Sequence, residues 1–232
     1  MNKTIIIPSY NEKQTIDLVI KRVKDNISLD DNIVIADDGS TDGTVDKIKL
    51  YEKDPQIECI LSQKNEGKGS AIINALNNSK KLNDIILIQD ADLEYDPEDY
   101  KKLFLPFYET NADVVYGSRF LGGAKYYRIH FFWHFIANKL LTMFCNFVTN
   151  LNMSDMETGY KCFKKDVIKS INLNEKSFGI EPEITVKLAK KKFKFFEVPV
   201  SYNGRSYEEG KKIHLKDAFI AIYCIIKYRF FD

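Results

Sequence analysis

Three acidic residues, Asp90, Asp92 and Glu94, follow the aliphatic run Ile85-Ile86-Leu87-Ile88. Carboxylates one residue apart on an extended segment can converge on a hard cation, which usually keeps waters and shares substrate phosphates. Asp92 and Glu94, with Asp90 beside them, could hold a divalent metal that in turn holds a diphosphate. A solvated acidic turn fits the same residues. The run before them lacks polar alternation and reads as a strand buried on both faces of a parallel sheet. In open α/β sheets ligands bind beyond the carboxyl ends of strands, where these acids fall.

The arrangement recurs along the chain. Strands expected at residues 3–8, 32–36, 57–61 and 112–116 lead to Pro8-Ser9-Tyr10-Asn11-Glu12, Asp37-Asp38-Gly39-Ser40-Thr41-Asp42-Gly43, Asn65-Glu66-Gly67-Lys68-Gly69-Ser70 and Gly117-Ser118-Arg119. Helical periods lie between them, among them Ile16, Val19, Ile20 and Val23, and a second helix capped by Thr41 or Asp42. Asp96-Pro97 opens another. This alternation predicts a three-layer α/β/α sandwich around a mostly parallel central sheet. One edge would gather Tyr10, Glu12, Asp37, Lys68, Asp90, Asp92 and Arg119. Gly67-Lys68-Gly69 is neither a dinucleotide fingerprint nor a P-loop, and serves equally as a tight turn or a phosphate contact.

Past Arg119 the alternation stops. Residues 125–151 are aromatic-rich and predict two helices, followed by a polar loop at 153–161. A strand passing into a helix (162–171), a helix (181–191) and a strand (193–200) come next. Glycines and dense charge at 201–214 suggest a mobile loop that orders on ligand binding, and an amphipathic helix closes the chain.

The 232 residues suit one domain, and a net charge of +1 gives no global field towards nucleic acid. Four scattered cysteines read as free thiols of a reducing, cytoplasmic compartment. His130, His134 and His214 lack metal spacing. Apolar stretches at 131–151 and 218–231 are too interrupted or too short to span a bilayer, but could lie in a membrane surface. The aromatics from Tyr126 to Phe135 would either cover a sheet edge or face that interface.

Together, six blocks resemble the GT-A-fold glycosyltransferases of family 2, more narrowly the polyprenyl-phosphate (dolichyl-phosphate) mannosyl- and glucosyltransferases. They are Pro8 to Glu12, Asp37 to Gly43, Asn65 to Gly69, Asp90-Ala91-Asp92-Leu93 with Pro97, Gly117 to Arg119, and Arg205 to Lys211. The resemblance implies a nucleotide-sugar half (1–120) and an acceptor half (121–232). Pro8, Tyr10, Glu12, Ile35 and Asp37 would line base and ribose, and Asp90, Ala91 and Asp92 the ribose and metal-diphosphate. Glu94 stands where the family often has a glutamine ligand. Arg119, Arg128, Arg205 and Lys211 match residues that contact the donor diphosphate and acceptor phosphate. Asp155 to Tyr160 departs from the mannosyltransferase pattern and is similar to a bacterial branch.

The implied reaction moves mannose or glucose, with inversion, from GDP-mannose or UDP-glucose to a polyprenyl phosphate, using Mg²⁺ or Mn²⁺ at a cytoplasmic membrane face. A lipid phosphate is already anionic and needs cations to position it; a hydroxyl acceptor would need a base. Asp155 and Glu157 carry that second reading, a soluble enzyme extending a saccharide. A third reading, a non-catalytic nucleotide-sugar-binding module, fits poorly with the complete acidic set and with Arg205 and Lys211.

Overall fold

The structure, a computed structural model, describes residues 1–126, 128, 131–205 and 215–232. Seven strands, β1 (Lys3–Ser9), β2 (Asn32–Asp37), β3 (Ile57–Leu61), β4 (Ile85–Ile88), β5 (Val114–Ser118), β6 (Lys161–Lys164) and β7 (Phe195–Pro199), form one sheet. Their order is β3-β2-β1-β4-β6-β5-β7. All neighbours pair in parallel except β6, which runs antiparallel to β4 and β5. In chain order the helices are α1 (Ile16–Lys24), α2 (Thr44–Lys49), α3 (Lys68–Asn78), α4 (Tyr100–Glu109), α5 (Phe132–Thr149), α6 (Lys165–Lys169), α7 (Ile180–Lys190) and α8 (Leu215–Phe230).

Side chains alternate across a strand, so Ile5 and Ile7 of β1 enter one core and Ile6 the other. The first core is closed by α1, α2 and α4, the second by α3 and α5 to α8. All four β4 residues are buried, which explains their unbroken aliphatic run. On α1 the expected stripe of Ile16, Val19, Ile20 and Val23 faces inward. The expected three-layer architecture is therefore present.

Two local expectations are corrected. Neither Thr41 nor Asp42 occupies the α2 cap: Gly43 does, in a left-handed conformation (φ 94°). Asp42 still serves the helix end, accepting the Thr44 backbone N–H at 2.9 Å. Of the two helices expected over 125–151, one is present among the described residues, α5, and Tyr126, Arg128 and Phe131 lie outside it. Asp96 does cap the turn at Pro97, accepting from the Glu98 N–H at 3.1 Å.

Reversal of β6 has a functional consequence. Ile88, the last residue of β4, pairs with Lys161, the first residue of β6. The chain just before Lys161, including Asp155 to Tyr160, thereby arrives at the same edge as Asp90. Removing part of the strand that organises both cores should be costly. Leu87→Ala, at a fully buried position, is expected to destabilise the fold by ~2–5 kcal/mol, seen as a lower urea midpoint at unchanged slope.

Candidate active site

A cleft of about 300 Å³ opens at the carboxyl ends of β1, β4 and β5. The strand tip after β4 forms its acidic wall. Leu93 there adopts a left-handed φ of 64°, a conformation that costs a residue with a Cβ roughly 1–2 kcal/mol. Burial, then the charges of Glu94 and Asp90, push the Asp92 carboxyl up to about 8. Counter-charges come from distant segments. Arg205 donates to the Asp92 carbonyl at 2.6 and 3.0 Å and forks onto Glu12 at 3.0 and 3.3 Å. Its backbone N–H reaches Glu94 at 2.6 Å, and the Tyr202 hydroxyl takes the other Glu94 oxygen at 2.7 Å. Lys68 bridges Asp90 (2.8 Å) and Glu181 (2.9 Å).

Among the described residues no three acidic, histidine or cysteine side chains gather closely enough to hold a metal unaided. Asp90 is turned to Lys68, and Glu94 to Arg205 and Tyr202. With Asp92 they make an all-oxygen set with excess negative charge. That chemistry fits a hard cation sharing substrate oxygens, such as Mg²⁺ or Mn²⁺.

An aromatic cluster fixes this wall. The hydroxyls of Tyr100 and Tyr160 both donate to Gln89 Oε1, at 2.7 and 2.6 Å. Tyr95 stacks on Tyr160 with centroids 4.4 Å apart, and its hydroxyl accepts the Gly159 N–H at 2.7 Å. A Cβ on Gly159 would lie 2.2 Å from Asp90 Oδ2, so only glycine lets the two segments approach. The Gly67-Lys68-Gly69 turn is equally constrained: Cβ atoms at Gly67 and Gly69 would meet backbone carbonyls of Lys176 and Glu175 at 2.5 and 2.1 Å.

The opposite wall carries Arg119. Its Nε and Nη2 each donate to an Asp155 oxygen at 2.7 Å, and its guanidinium lies 5.2 Å from the Tyr202 ring centroid. Against the penalty of burial, Arg119 holds the Asp155 carboxyl below its ordinary 3.8. Glu197 supports that loop by accepting the Ser154 and Asp155 backbone N–H groups.

Of the expected site residues, Pro8, Tyr10, Glu12, Lys68, Asp90, Ala91, Asp92, Glu94, Arg119, Glu157 and Arg205 line the cleft. Ile35 does not: it sits mid-strand opposite Ile7, fully buried in the core. Asp37 turns away to hold Ser40, accepting its N–H at 2.8 Å and hydroxyl at 2.6 Å. Asp155 is wholly buried behind Arg119. Arg128 is exposed and donates to the Gly204 carbonyl at 2.8 Å. Lys211, with His130, His214 and residues 206–214 of the expected mobile loop, lies outside the described residues. Sequence reading passed over Asp38, Tyr95, Glu181 and Tyr202, which also line the cleft. Asp38 was one residue from a chosen aspartate; its carboxylate accepts the Gly67 N–H at 2.6 Å and anchors the glycine turn.

Comparison with known proteins identifies the family and the fold. Residues 4–171 match the model of glycosyl transferase family 2, and the chain belongs to that family. It is 28% identical to a dolichol-phosphate mannosyltransferase of Pyrococcus furiosus, over 91% of this chain but 59% of that longer protein. It is also 28% identical to an undecaprenyl-phosphate mannosyltransferase of Micrococcus luteus, over 91% of this chain and 87% of the relative. A solved structure of glucosyl-3-phosphoglycerate synthase from Mycobacterium tuberculosis, in complex with Mn²⁺, UDP and phosphoglyceric acid, aligns with a TM-score of 0.73 at 16% identity. The alignment covers all of this chain and 79% of that one. The fold is therefore GT-A, and the protein is a glycosyltransferase.

Asp155→Asn would leave Arg119 enclosed without its counter-ion, an expected loss of ~3–5 kcal/mol. Because the Asp155 carboxyl is depressed below 3.8 on folding, its contribution is complete above that pH and fades as pH falls through the lower folded value. The stability gap between wild type and variant should accordingly narrow in acid, as urea titrations across pH would measure.

Proposed function

We propose that this family 2 glycosyltransferase transfers a hexose, mannose or glucose, from a nucleotide diphosphate sugar to a polyprenyl phosphate at the cytoplasmic membrane face. The observation that carries the reading is the pairing of the acidic β4 tip with Lys68, Arg119 and Arg205 around one cleft. A diphosphate leaving group needs charge stabilisation, and a phosphate acceptor needs cations to position it rather than a base. Asp92 and Glu94 would hold Mg²⁺ or Mn²⁺, which when bound supplies a Lewis acid to the diphosphate. Arg205, already at the tip, would add positive charge there. Arg119 would orient the acceptor phosphate, since Asp155 occupies only Nε and Nη2 of its fork. Arg128 and Lys211 would add further positive charge for the phosphates. In-line attack would invert the anomeric centre. Pro8 and Tyr10 would bound the base and ribose.

For a hydroxyl acceptor, Asp155 is poorly placed as a base because both its oxygens are engaged by Arg119, which leaves that second reading to Glu157 in the cleft wall. The lipid reading draws further support from the surface. Among the described residues no helix is long and apolar enough to cross a membrane. Yet α5 exposes Trp133 (76%), Leu140, Met143 and Phe147 (86%) along one stripe, and adjacent α8 exposes Phe219, Tyr223 and Phe230. Phe135 of α5 packs edge-on against Phe120, the neighbour of Arg119, with centroids 5.3 Å apart. The helix that carries the apolar stripe thus also packs beside Arg119, a geometry suited to an acceptor whose head leaves a bilayer.

Radiolabelled GDP-mannose or UDP-glucose, incubated with short polyprenyl phosphate and Mg²⁺ or Mn²⁺, should yield an organic-extractable product with one donor. Asp92→Asn is expected to lower that transfer ~100-fold or more; full activity of the variant would remove the acidic tip from the mechanism. Separately, Trp133→Asp combined with Phe147→Asp should weaken co-sedimentation with phospholipid vesicles at least ~10-fold, two large aromatics having left the apolar face. Unchanged sedimentation would detach the helices from the membrane.

A further inference from the structure

We propose that Glu157 and Glu181 form a sugar-hydroxyl subsite in the inner wall of the cleft, two carboxylate oxygens that accept from hydroxyls of a neutral hexose. The inference rests on the nucleotide-sugar reading above and specifies which sugar chemistry the cleft takes. Its basis is an imbalance of hydrogen bonding. Glu157 Oε1 and Glu181 Oε2 are buried and have no hydrogen-bond partner among the described residues, and both side chains line the cleft. They come from separate elements, Glu157 from the segment before β6 and Glu181 from the first turn of α7. An orphaned charged acceptor is costly, so two in one wall indicate donors supplied by a ligand.

Nearby cations are committed elsewhere. Lys68 holds the other oxygen of Glu181 together with Asp90. Lys161 donates to the Met156 and Thr158 carbonyls, and Arg119 forks onto Asp155. The Lys68 bridge also fixes where the subsite lies. Glu181 is one ammonium away from Asp90, so the pair begins where a diphosphate at the β4 tip would end. The group joined to that diphosphate is the sugar. Burial and then the Glu181 charge push the Glu157 carboxyl up to about 7, consistent with two acids sharing one enclosed wall. Carboxylates accept and do not donate when ionised. They favour hydroxyl-rich neutral sugars and repel a uronic acid.

The test separates the sugar's contribution from the nucleotide's. Wild type, Glu157→Leu and Glu181→Leu are titrated calorimetrically, with Mg²⁺ present, against UDP, UDP-glucose and UDP-glucuronate, and against GDP and GDP-mannose. Wild type should bind one sugar nucleotide more tightly than its bare diphosphate and should bind UDP-glucuronate more weakly than UDP-glucose. Each variant should keep its affinity for the diphosphate while losing about tenfold for the sugar nucleotide, the scale of one charge-assisted hydrogen bond. The melting temperature of Glu157→Leu should not fall, since a buried acceptor without a partner has been replaced by an apolar group, whereas Glu181→Leu also takes a carboxylate from Lys68, which keeps Asp90, and should melt lower. Glu157→Gln and Glu181→Gln provide the same readout with volume kept, and should relax rejection of UDP-glucuronate.

A sugar increment unchanged in all four variants overturns the subsite. So does a parallel loss for diphosphate and sugar nucleotide, which marks a structural role. Loss of turnover with the increment intact makes Glu157 a base instead. Failure of wild type to bind any nucleoside diphosphate sinks the donor reading itself, a result distinct from failure of the subsite alone.

Discussion

Like charges held close together govern this molecule. Asp90, Asp92 and Glu94 follow one strand end inside a cleft, near enough that the charges of Glu94 and Asp90 add to burial in raising the Asp92 carboxyl. Such a tip persists because cations arrive from elsewhere in the chain. Lys68 comes from the start of α3, and Arg205 from beyond β7, 113 residues past the Asp92 carbonyl it grips. The salt bridges are therefore not surface decoration. They hold the walls of the cleft against the repulsion of its floor.

Sheet topology supplies the remaining geometry. A wholly parallel sheet would bring only loops that follow strands to this edge. The one antiparallel strand, β6, also brings a loop that precedes a strand, so Asp155, Glu157 and Gly159 meet Arg119 and the acidic tip. Close approach then imposes its own chemistry. Gly159 must lack a side chain to clear Asp90, and Tyr95, Tyr100 and Tyr160 knit the loop to Gln89 at the end of β4. Fold and site are here the same set of contacts.

What the sequence made legible follows from the range of the interactions involved. Periodicity is local, so strands, layers and the strand-end position of Tyr10, Glu12, Lys68, Asp92 and Arg119 could be read directly. The direction of a side chain at a strand end is not local. Ile35 and Asp37 lie on β2 and cleft-lining Asp38 follows directly, yet the pleat sends Ile35 into the core and a tight turn claims Asp37. Glu181 was hidden for another reason. Its sequence context is an ordinary first helical turn, and only the tertiary approach of Lys68 across the cleft distinguishes it. The aromatic stretch before α5 read as helix from composition, but its backbone at Tyr126 and Arg128 is taken up by bonds to Tyr202.

Arg119 shows why a neutralised cation can still be useful. A forked pair with Asp155 fixes the guanidinium plane through two donors, and the Tyr202 ring lies alongside it. Guanidinium has five N–H donors, so the pair leaves part of the fork, including Nη1, outside the Asp155 contact. An unpaired arginine on a long side chain would sample many rotamers and surrender that freedom on meeting an anion. Here the rotamer is already chosen by a carboxylate that is itself fixed by Arg119 and by the Ser154 and Asp155 amides on Glu197. In the proposed role Asp155 would contribute orientation, fixing the guanidinium before an anion arrives.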